Sequence, residues 1–448
     1  MADLKQLARQ IFLQTLAAID ISAAMQRKLT RTGMRLHCGA ADIDLRVFDR
    51  VCVVAIGKAA HGMVQGLAAV LGDSVKLQGV VAAPEIASES AVALAGESAN
   101  GLQYFAGGHP VPNAESWKAA EAILALLKTC DARTLVFFLL SGGGSALVEL
   151  PLDSKQNLSD VQQLYRELVT CGAAISEIGI VRRHVSAVKG GRLAAAAGRA
   201  MKVTLAVSDV PVGQEAALAS GPTLPDPTTI SDVVGILRKY SLEAKLPTLL
   251  QEWIAAGNMP ETPKPGDPAF ADAHFSLLLG MDDLFHPAHH AAEASGCVAC
   301  CDNTTDDWPV QEAAEFLLEQ LEELRAAHPG RRVALIADGE ISSRVTGDGV
   351  GGRNSAFVLA CVEKIAGRRI TVLSAGTDGI DGNSPAAGAV ADGTTSVRAQ
   401  ATRMLSGDFF ERSDAYNYFA RLDDAIVTGP TGNNLRDLRI LVADPEKT

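Results

Sequence analysis

The sequence predicts a two-domain α/β fold built on mostly parallel sheet, and three observations carry that prediction. Short continuous apolar runs recur along the 448 residues, each is followed by a polar turn rich in glycine, and most turns lead into a segment of helical periodicity. Leu4, Leu7, Ala8, Ile11, Phe12 and Ile19 recur at helical spacing, so the chain opens on an amphipathic helix that docks on a core. The clearest strands are Val51 to Ile56, Leu135 to Leu140, Val203 to Val207, Val333 to Ala337 and Ile370 to Ser374, each too short for a whole helix, with a last strand at Leu438 to Val442. In open α/β sheets ligands bind outside the carboxyl ends of strands. The turns Gly57-Lys58, Ser141 to Ser145, Ser208-Asp209, Asp338 to Glu340 and Thr377 to Gly382 are therefore the places where a site is expected.

A chain of this length exceeds one comfortable core. Pro260, Pro263, Pro265 and Pro268 cluster with Gly266 in a charged stretch that resists both helix and ladder, so residues 259–268 read as a linker. The expected division is a doubly wound, Rossmann-like domain over residues 1–258 and a smaller α/β domain over 269–448, with the extreme C-terminus free to pack back on the first domain. Because both halves carry polar strand ends, the active site is expected in the cleft between them.

Composition narrows the functional classes. Hydrophobic residues make up 48% and charged residues 21%, which is globular, while 41 glycines against 5 tyrosines and 3 tryptophans mean many tight turns and few aromatic platforms. A net charge of -12 repels polyanions, so nucleic acid is not an expected partner and any anionic ligand must be held by a few local cations. The first ten residues lack the pattern of a secretory signal, no apolar stretch is long enough to span a bilayer, and the eight cysteines form no regular framework. A cytoplasmic protein without disulfides or membrane attachment is expected, as a monomer or homodimer.

Ser141-Gly142-Gly143-Gly144-Ser145 directly follows a strand. Its glycines let the backbone turn sharply and bring N–H groups to an oxyanion, and its hydroxyls add donors. Gly57-Lys58 precedes a small-residue helix, Ala59 to Gly66, and lacks the residues of a Walker A loop, since Cys52 and Ala59 stand where glycine and a hydroxyl residue are needed. Lys58 is either a positive charge held over the sheet edge or a solvated lysine. In Gly347-Asp348-Gly349-Val350-Gly351-Gly352-Arg353-Asn354 the Arg offers a planar fork to phosphate or carboxylate at the start of a helix. The three glycines 347, 349 and 352 do not make a dinucleotide fingerprint, because the preceding strand stops well before them. Asp209, Asp378 and Asp381 put carboxylates at strand ends, where they can take Mg²⁺, accept a proton or merely stabilise turns. Asn434, in Gly429 to Asn434, either bonds a ligand or caps a turn. Cys297 and Cys300 form a lone CxxC, expected in a buried strand, without the second pair zinc needs. His286, His289 and His290 share a helix with no HExxH motif and no obvious carboxylate partner.

In this order the landmarks are specific. Gly57-Lys58-Ala59, Ala106-Gly107-Gly108-His109-Pro110-Val111-Pro112, Ser141 to Leu147, Ser208-Asp209-Val210, Ser220-Gly221-Pro222-Thr223, Gly351-Gly352-Arg353-Asn354, Gly376 to Gly382 and Gly429 to Asn434 resemble, nearly end to end, the glycerate 2-kinase family with a MOFRL-type C-terminal domain. The resemblance implies ATP-dependent phosphorylation of D-glycerate at its 2-hydroxyl, with Mg²⁺ as cofactor. It carries functional positions over to Lys58, Asp209, Glu340, Arg353, Asp378 and Asn434. Nucleotide or substrate contacts fall to Ser141, Gly142, Gly143, Gly144, Ser145, Gly351, Gly352, Asn354 and Thr377, and Mg²⁺ to Asp209 and Asp378. The chain departs from the family's usual residues at Ser355-Ala356, Gly213-Gln214 and Asn383-Ser384-Pro385, on the substrate side of the motifs. A hydroxypyruvate reductase and a non-catalytic anion-binding module are the alternative readings.

Overall fold

The computed structural model describes residues 4–84, 101–153, 155–208, 210, 213–433 and 435–446. The chain divides into two compact units, one of residues 21–279 and one that joins the stretch up to Asp20 to everything from Gly280 onward.

The first unit begins with a three-stranded antiparallel meander, β1 (Leu29–Thr32), β2 (Arg35–Cys38) and β3 (Ala41–Asp44). Its main sheet comprises β4 (Arg50–Ile56), β5 (Leu77–Ala83), β6 (Leu102–Ala106), β7 (Thr134–Ser141), β8 (Met201–Val207) and β9 (Ala273–Leu279). All neighbours are parallel, in the order β6-β5-β4-β7-β8-β9. The chain winds outward one way from β4 and the other way from β7, so the expected doubly wound, Rossmann-like sheet is present and its switch point lies between these two strands. Both faces are covered. Cys52, Val54, Ile56, Val136, Phe138 and Leu140 pack with Ala119, Ala120, Ile123 and Leu127 of the helix Ala114–Lys128, while the alternate residues Val53, Ala55, Leu135, Phe137 and Leu139 are buried on the opposite face.

The second unit carries β10 (Val298–Asp302), β11 (Val333–Asp338), β12 (Ile370–Gly376), β13 (Gly388–Asp392), β14 (Ala425–Ile426) and β15 (Asp437–Ala443), in the order β10-β11-β15-β12-β13-β14. Here the expectation of mostly parallel sheet gives way. Only β10 and β11 are parallel, because β15 runs between β11 and β12 antiparallel to both. The CxxC strand also differs from expectation: β10 is an edge strand, and Cys300 and Cys301 are exposed. All eight cysteines are free thiols.

The expected domain boundary is displaced at both ends. Residues 259–268 are a strap fastened to the first unit: Met259 and Thr262 are buried, the Asp226 N–H donates to Pro263 O, and Lys264 Nζ donates to Thr228 O. Beyond the strap β9 still adds to the first sheet, so the division falls at 279/280. The last strand, β15, lies at the centre of the second unit's own sheet. It is the N-terminal helix Leu4–Ala18 that crosses the expected boundary, packing against β12, β13 and β15 of the second unit. Its buried face is Leu7, Ala8, Ile11, Phe12 and Thr15, and Lys5 Nζ ties its first turn to Asp424 at 2.7 Å.

Among the described residues no helix is long and apolar enough to cross a membrane. If the N-terminal helix is part of the second unit's core, truncating its one-percent-exposed Phe12 to Ala should cost about 3–5 kcal/mol in a urea melt. Leu13→Ala, at a position 54% exposed, should stay within about 0.5 kcal/mol. Equal effects from the two would contradict the packing.

Candidate active site

At the switch point of the first sheet two turns are sewn together. The Lys58 N–H donates to Gly142 O at 3.0 Å and the Ala59 N–H to Ser141 Oγ at 3.0 Å. Gly57 has φ +128°, and a Cβ there would lie 2.1 Å from Ser141 Oγ, so only glycine lets β4 and β7 end this close together. Ser141 is thus fully buried and joins the turns rather than offering a surface hydroxyl. The Ser145 hydroxyl is likewise engaged, 2.8 Å from Ser220 Oγ. Gly143 adopts φ +81° above them, and a Cβ placed on it would meet His109 Cδ2 at 3.3 Å and Lys58 Cγ at 3.5 Å. The half-buried Lys58 is therefore laid against the glycine turn over the switch point, and a Cβ on Gly144 would come within 2.7 Å of Ala219 Cβ.

Beneath this turn lies a charge outside the expected set. Glu149 is 3% exposed and accepts from Lys189 Nζ at 2.7 Å, Ser186 Oγ at 2.5 Å, the Leu150 N–H at 2.9 Å and the Tyr165 hydroxyl. Tyr165 OH also lies 3.0 Å from Ser145 O, so this satisfied network fixes the floor of the loop.

In the second unit the polar groups gather at the carboxyl ends of β11 and β12 and the amino end of β15. Arg353 sits between two carboxylates, Nε on Asp437 Oδ2 at 2.5 Å and one terminal nitrogen on Glu340 Oε2 at 2.7 Å. Burial works to lower its pKa, but Asp437 and Glu340 outweigh it and hold the guanidinium charged. Arg436 bonds Asp306 and lies 3.8 Å from Asp338; Arg439, fully buried, donates to the carbonyls of Asp338 and Gly339. Asp338 is itself fully buried, and burial, only partly offset by Arg436 and Arg439, pushes its carboxyl up to about 6. Asp306, Arg436, Asp437 and Arg439 were not among the residues expected from sequence.

Four expected contacts have other work here. The N-terminus of the helix Arg353–Cys361 already holds an anion, its own Asp381, which accepts from the N–H groups of Gly352, Asn354 and Ser355 at 3.2, 2.9 and 2.8 Å. A Cβ on Gly352 would lie 2.3 Å from that carboxylate, which explains the glycine. Gly351 meanwhile donates its N–H to Asn383 Oδ1 at 2.8 Å. Asn354 is 1% exposed and accepts from Ser374 Oγ at 2.6 Å, so its side chain belongs to the core. The buried Thr377 hydroxyl donates to Arg436 O at 2.7 Å and accepts from the Leu435 N–H at 2.9 Å, pinning the 429–436 loop. Asp378 is half-buried, with Oδ1 accepting from the Ile380 N–H at 3.0 Å. Asp209 and Asn434 lie outside the described residues.

The only group of three or more metal-type donors within reach of one another, among the described residues, is His289, His290 and Glu293 on an exposed helix face; Glu293 is the carboxylate partner not expected there. Among the described residues no group of three carboxylates lies around Asp378 or Glu340.

A carboxyl whose pKa rises on folding holds its proton more tightly in the folded chain, so its stabilising contribution is full below about pH 4 and lost as pH rises through about 6. Asp338→Asn removes that loss. Relative to the wild type, the variant should gain on the order of 2–3 kcal/mol in unfolding free energy between about pH 4 and about pH 7. Urea titrations at several pH values check this, and parallel curves for the two proteins would count against a buried titrating carboxyl.

Residues 7–255 match the family described as a domain of unknown function (DUF4147), and residues 333–437 match the MOFRL family. A D-glycerate 2-kinase of Thermotoga maritima is 33% identical over 98% of this chain and 98% of its own. A protein of Agrobacterium vitis, named only provisionally as a hydroxypyruvate reductase, is 33% identical over 98% of this chain and 94% of its own. The crystal structure of glycerate kinase from Thermotoga maritima superposes with a TM-score of 0.82 at 32% identity, covering 98% of this chain and 99% of that one. With both segments in this order and likeness from end to end, the chain belongs to the glycerate 2-kinase family with a MOFRL-type C-terminal domain.

Proposed function

We propose that this protein transfers the terminal phosphoryl group of ATP to the 2-hydroxyl of D-glycerate, giving 2-phosphoglycerate and ADP. The observation that carries the reading is Lys58, laid against the Gly143 turn at the switch point of a doubly wound sheet in a chain related throughout its length to a D-glycerate 2-kinase. Phosphoryl transfer needs positioning and charge stabilisation more than covalent chemistry. The residues gathered at the two strand-end clusters are cations, amide donors and carboxylates, which suits that demand.

Lys58 neutralises charge on the transferring group or on the acid's carboxylate. Arg353 does the same with a fork whose direction is set by Asp437 and Glu340 on either side. Asp209, Glu340 and Asp378 orient or deprotonate the attacking hydroxyl. Asp378 and Asp209 would hold Mg²⁺, which when bound screens the phosphate oxygens. The reading sets the enzyme in the cytoplasm, where eight free thiols suit a reducing compartment.

The reductase alternative is weaker. The turn after β4 is Gly57-Lys58-Ala59 rather than a dinucleotide fingerprint, and Gly347 and Gly349 are packed against Arg412 O, where a Cβ on either would come within 2.6 Å.

Purified protein with MgATP and D-glycerate should yield 2-phosphoglycerate by phosphorus NMR, with no change in nicotinamide absorbance. Product bearing phosphate on the 3-hydroxyl, or none at all, would overturn the reading. Lys58→Ala and Arg353→Ala should each lower kcat by ~10² to 10³, about 3–4 kcal/mol. Arg353→Lys should recover little, since a point charge cannot span two carboxylates. Near-normal turnover in folded variants would remove these residues from the mechanism. Chelating divalent cations with EDTA should abolish turnover, and added Mg²⁺ should restore it.

A further inference from the structure

The motif from Ala106 to Pro112 has so far no role, and its path through the fold gives it one. β6 is the edge strand, separated from β7 by β5 and β4, so at the usual spacing their carboxyl ends stand about 14 Å apart. The loop that leaves β6 nevertheless crosses both intervening strand ends and sets His109 on the turn that follows β7. The position of a Cβ on Gly143 is 3.4 Å from His109 Nε2 and 3.5 Å from Lys58 Cγ, so the imidazole and the lysine flank the same point.

The route is rigidly built. The Gly107 N–H donates to Ala83 O at 3.0 Å, and a Cβ on Gly107 would lie 2.5 Å from Leu147 O in the segment just past the glycine turn. On Gly108 it would lie 2.3 Å from Val111 O, while the Gly108 N–H donates to the fully buried Ser116 hydroxyl at 2.9 Å. Asn113 closes the loop, its Nδ2 on Ala106 O at 3.1 Å and its Oδ1 capping the helix Ala114–Lys128 through the Ser116 N–H at 2.8 Å. Gln162 Nε2 holds Pro112 O at 2.8 Å. His109 carries the one imidazole of the loop from Ala106 to Asn113, and it is exposed at the turn.

We propose that His109 contacts the ligand in the same site as Lys58, donating a hydrogen bond from its imidazole to an oxyanion, carboxylate or phosphate, bound over the Gly143 turn. This rests on the reading of that turn as the anion site of a kinase. A donor beside a cation adds direction to charge: Lys58 attracts the oxyanion from any side, and an imidazole N–H fixes which oxygen faces the turn. His109 binds and orients; the proposal gives it no covalent step.

The test uses the full chain carrying His109→Ala or His109→Gln. Two readouts are compared with the wild type: calorimetric affinity for inorganic phosphate, and KM and kcat for D-glycerate and MgATP. His109→Ala should melt as the wild type does and weaken phosphate binding, or raise one substrate's KM, by ~10-fold or more, as expected when a hydrogen bond to a charged group is lost. His109→Gln, which keeps an N–H donor, should recover most of the loss. A structural role would instead lower the melting temperature in both variants and leave KM unchanged. Phosphate affinity, KM and kcat all within twofold of the wild type in His109→Ala overturn the proposal, even with kinase activity intact. Weakened phosphate binding in a protein that phosphorylates no glycerate would sink the kinase reading and leave His109 in place.

Discussion

A strand placed antiparallel between two others carries its amino end to their carboxyl ends, and β15 does this between β11 and β12. Register alone then sets Asp437 beside Gly376, and Arg439 between Ala337 and Ser374. With side chains alternating along the strand, Asp437 and Arg439 share one face. That face lies under the helix Arg353–Cys361, where Asp437 meets Arg353 and the Arg439 guanidinium lies 5.7 Å from the Phe357 ring. Burying such charges costs several kcal/mol per ion unless they are paired and hydrogen-bonded, and a well-packed apolar set is often as stable. The cluster therefore reads as an investment in orientation. Arg353 is held from two sides, and the carboxylates that hold it are fixed by the sheet.

The first unit meets the same need with backbone rather than charge. At the seam between β4 and β7 the two turns bond each other directly, and the absence of a side chain at Gly57 is what lets them touch. Lys58 is then the second residue beyond a buried strand, directly after Gly57, and has little freedom in where it starts. The network around Glu149 stiffens the far side of the same loop. One unit thus presents a cation on a rigid turn, and the other presents a cation between rigid carboxylates.

Much of this was legible in the residues. The apolar runs located six strands to within a residue or two, because a strand buried on both faces has to be apolar throughout. The turns at Gly57, Ser141 and Arg353 stood out because their residue types are needed there for steric or electrostatic reasons. The boundary at 259–268 was misplaced for an equally physical reason. Prolines report that a segment forms no regular structure, which says nothing about whether Thr262 and Met259 are buried or Pro263 is bonded. Asp381 looked like a turn or metal residue because its partners, the N–H groups at 352, 354 and 355, are distant in sequence. Arg436 and Arg439 flank or interrupt an apolar run and resemble solvated strand ends; only the antiparallel insertion of β15 turns them inward.

The fastening of the helix Leu4–Ala18 to β12, β13 and β15 also sets a timetable. This helix is synthesised before the strands it rests on, the last of which, β15, ends at Ala443, more than four hundred residues later. At ordinary elongation rates of roughly 5–20 residues per second, about 20–80 s separate the synthesis of this helix from that of the end of β15, and residues 21–279, a compact unit of the finished fold, are completed within that time. During that interval the apolar stripe of Leu7, Ile11 and Phe12 lacks the strands that cover it in the finished fold.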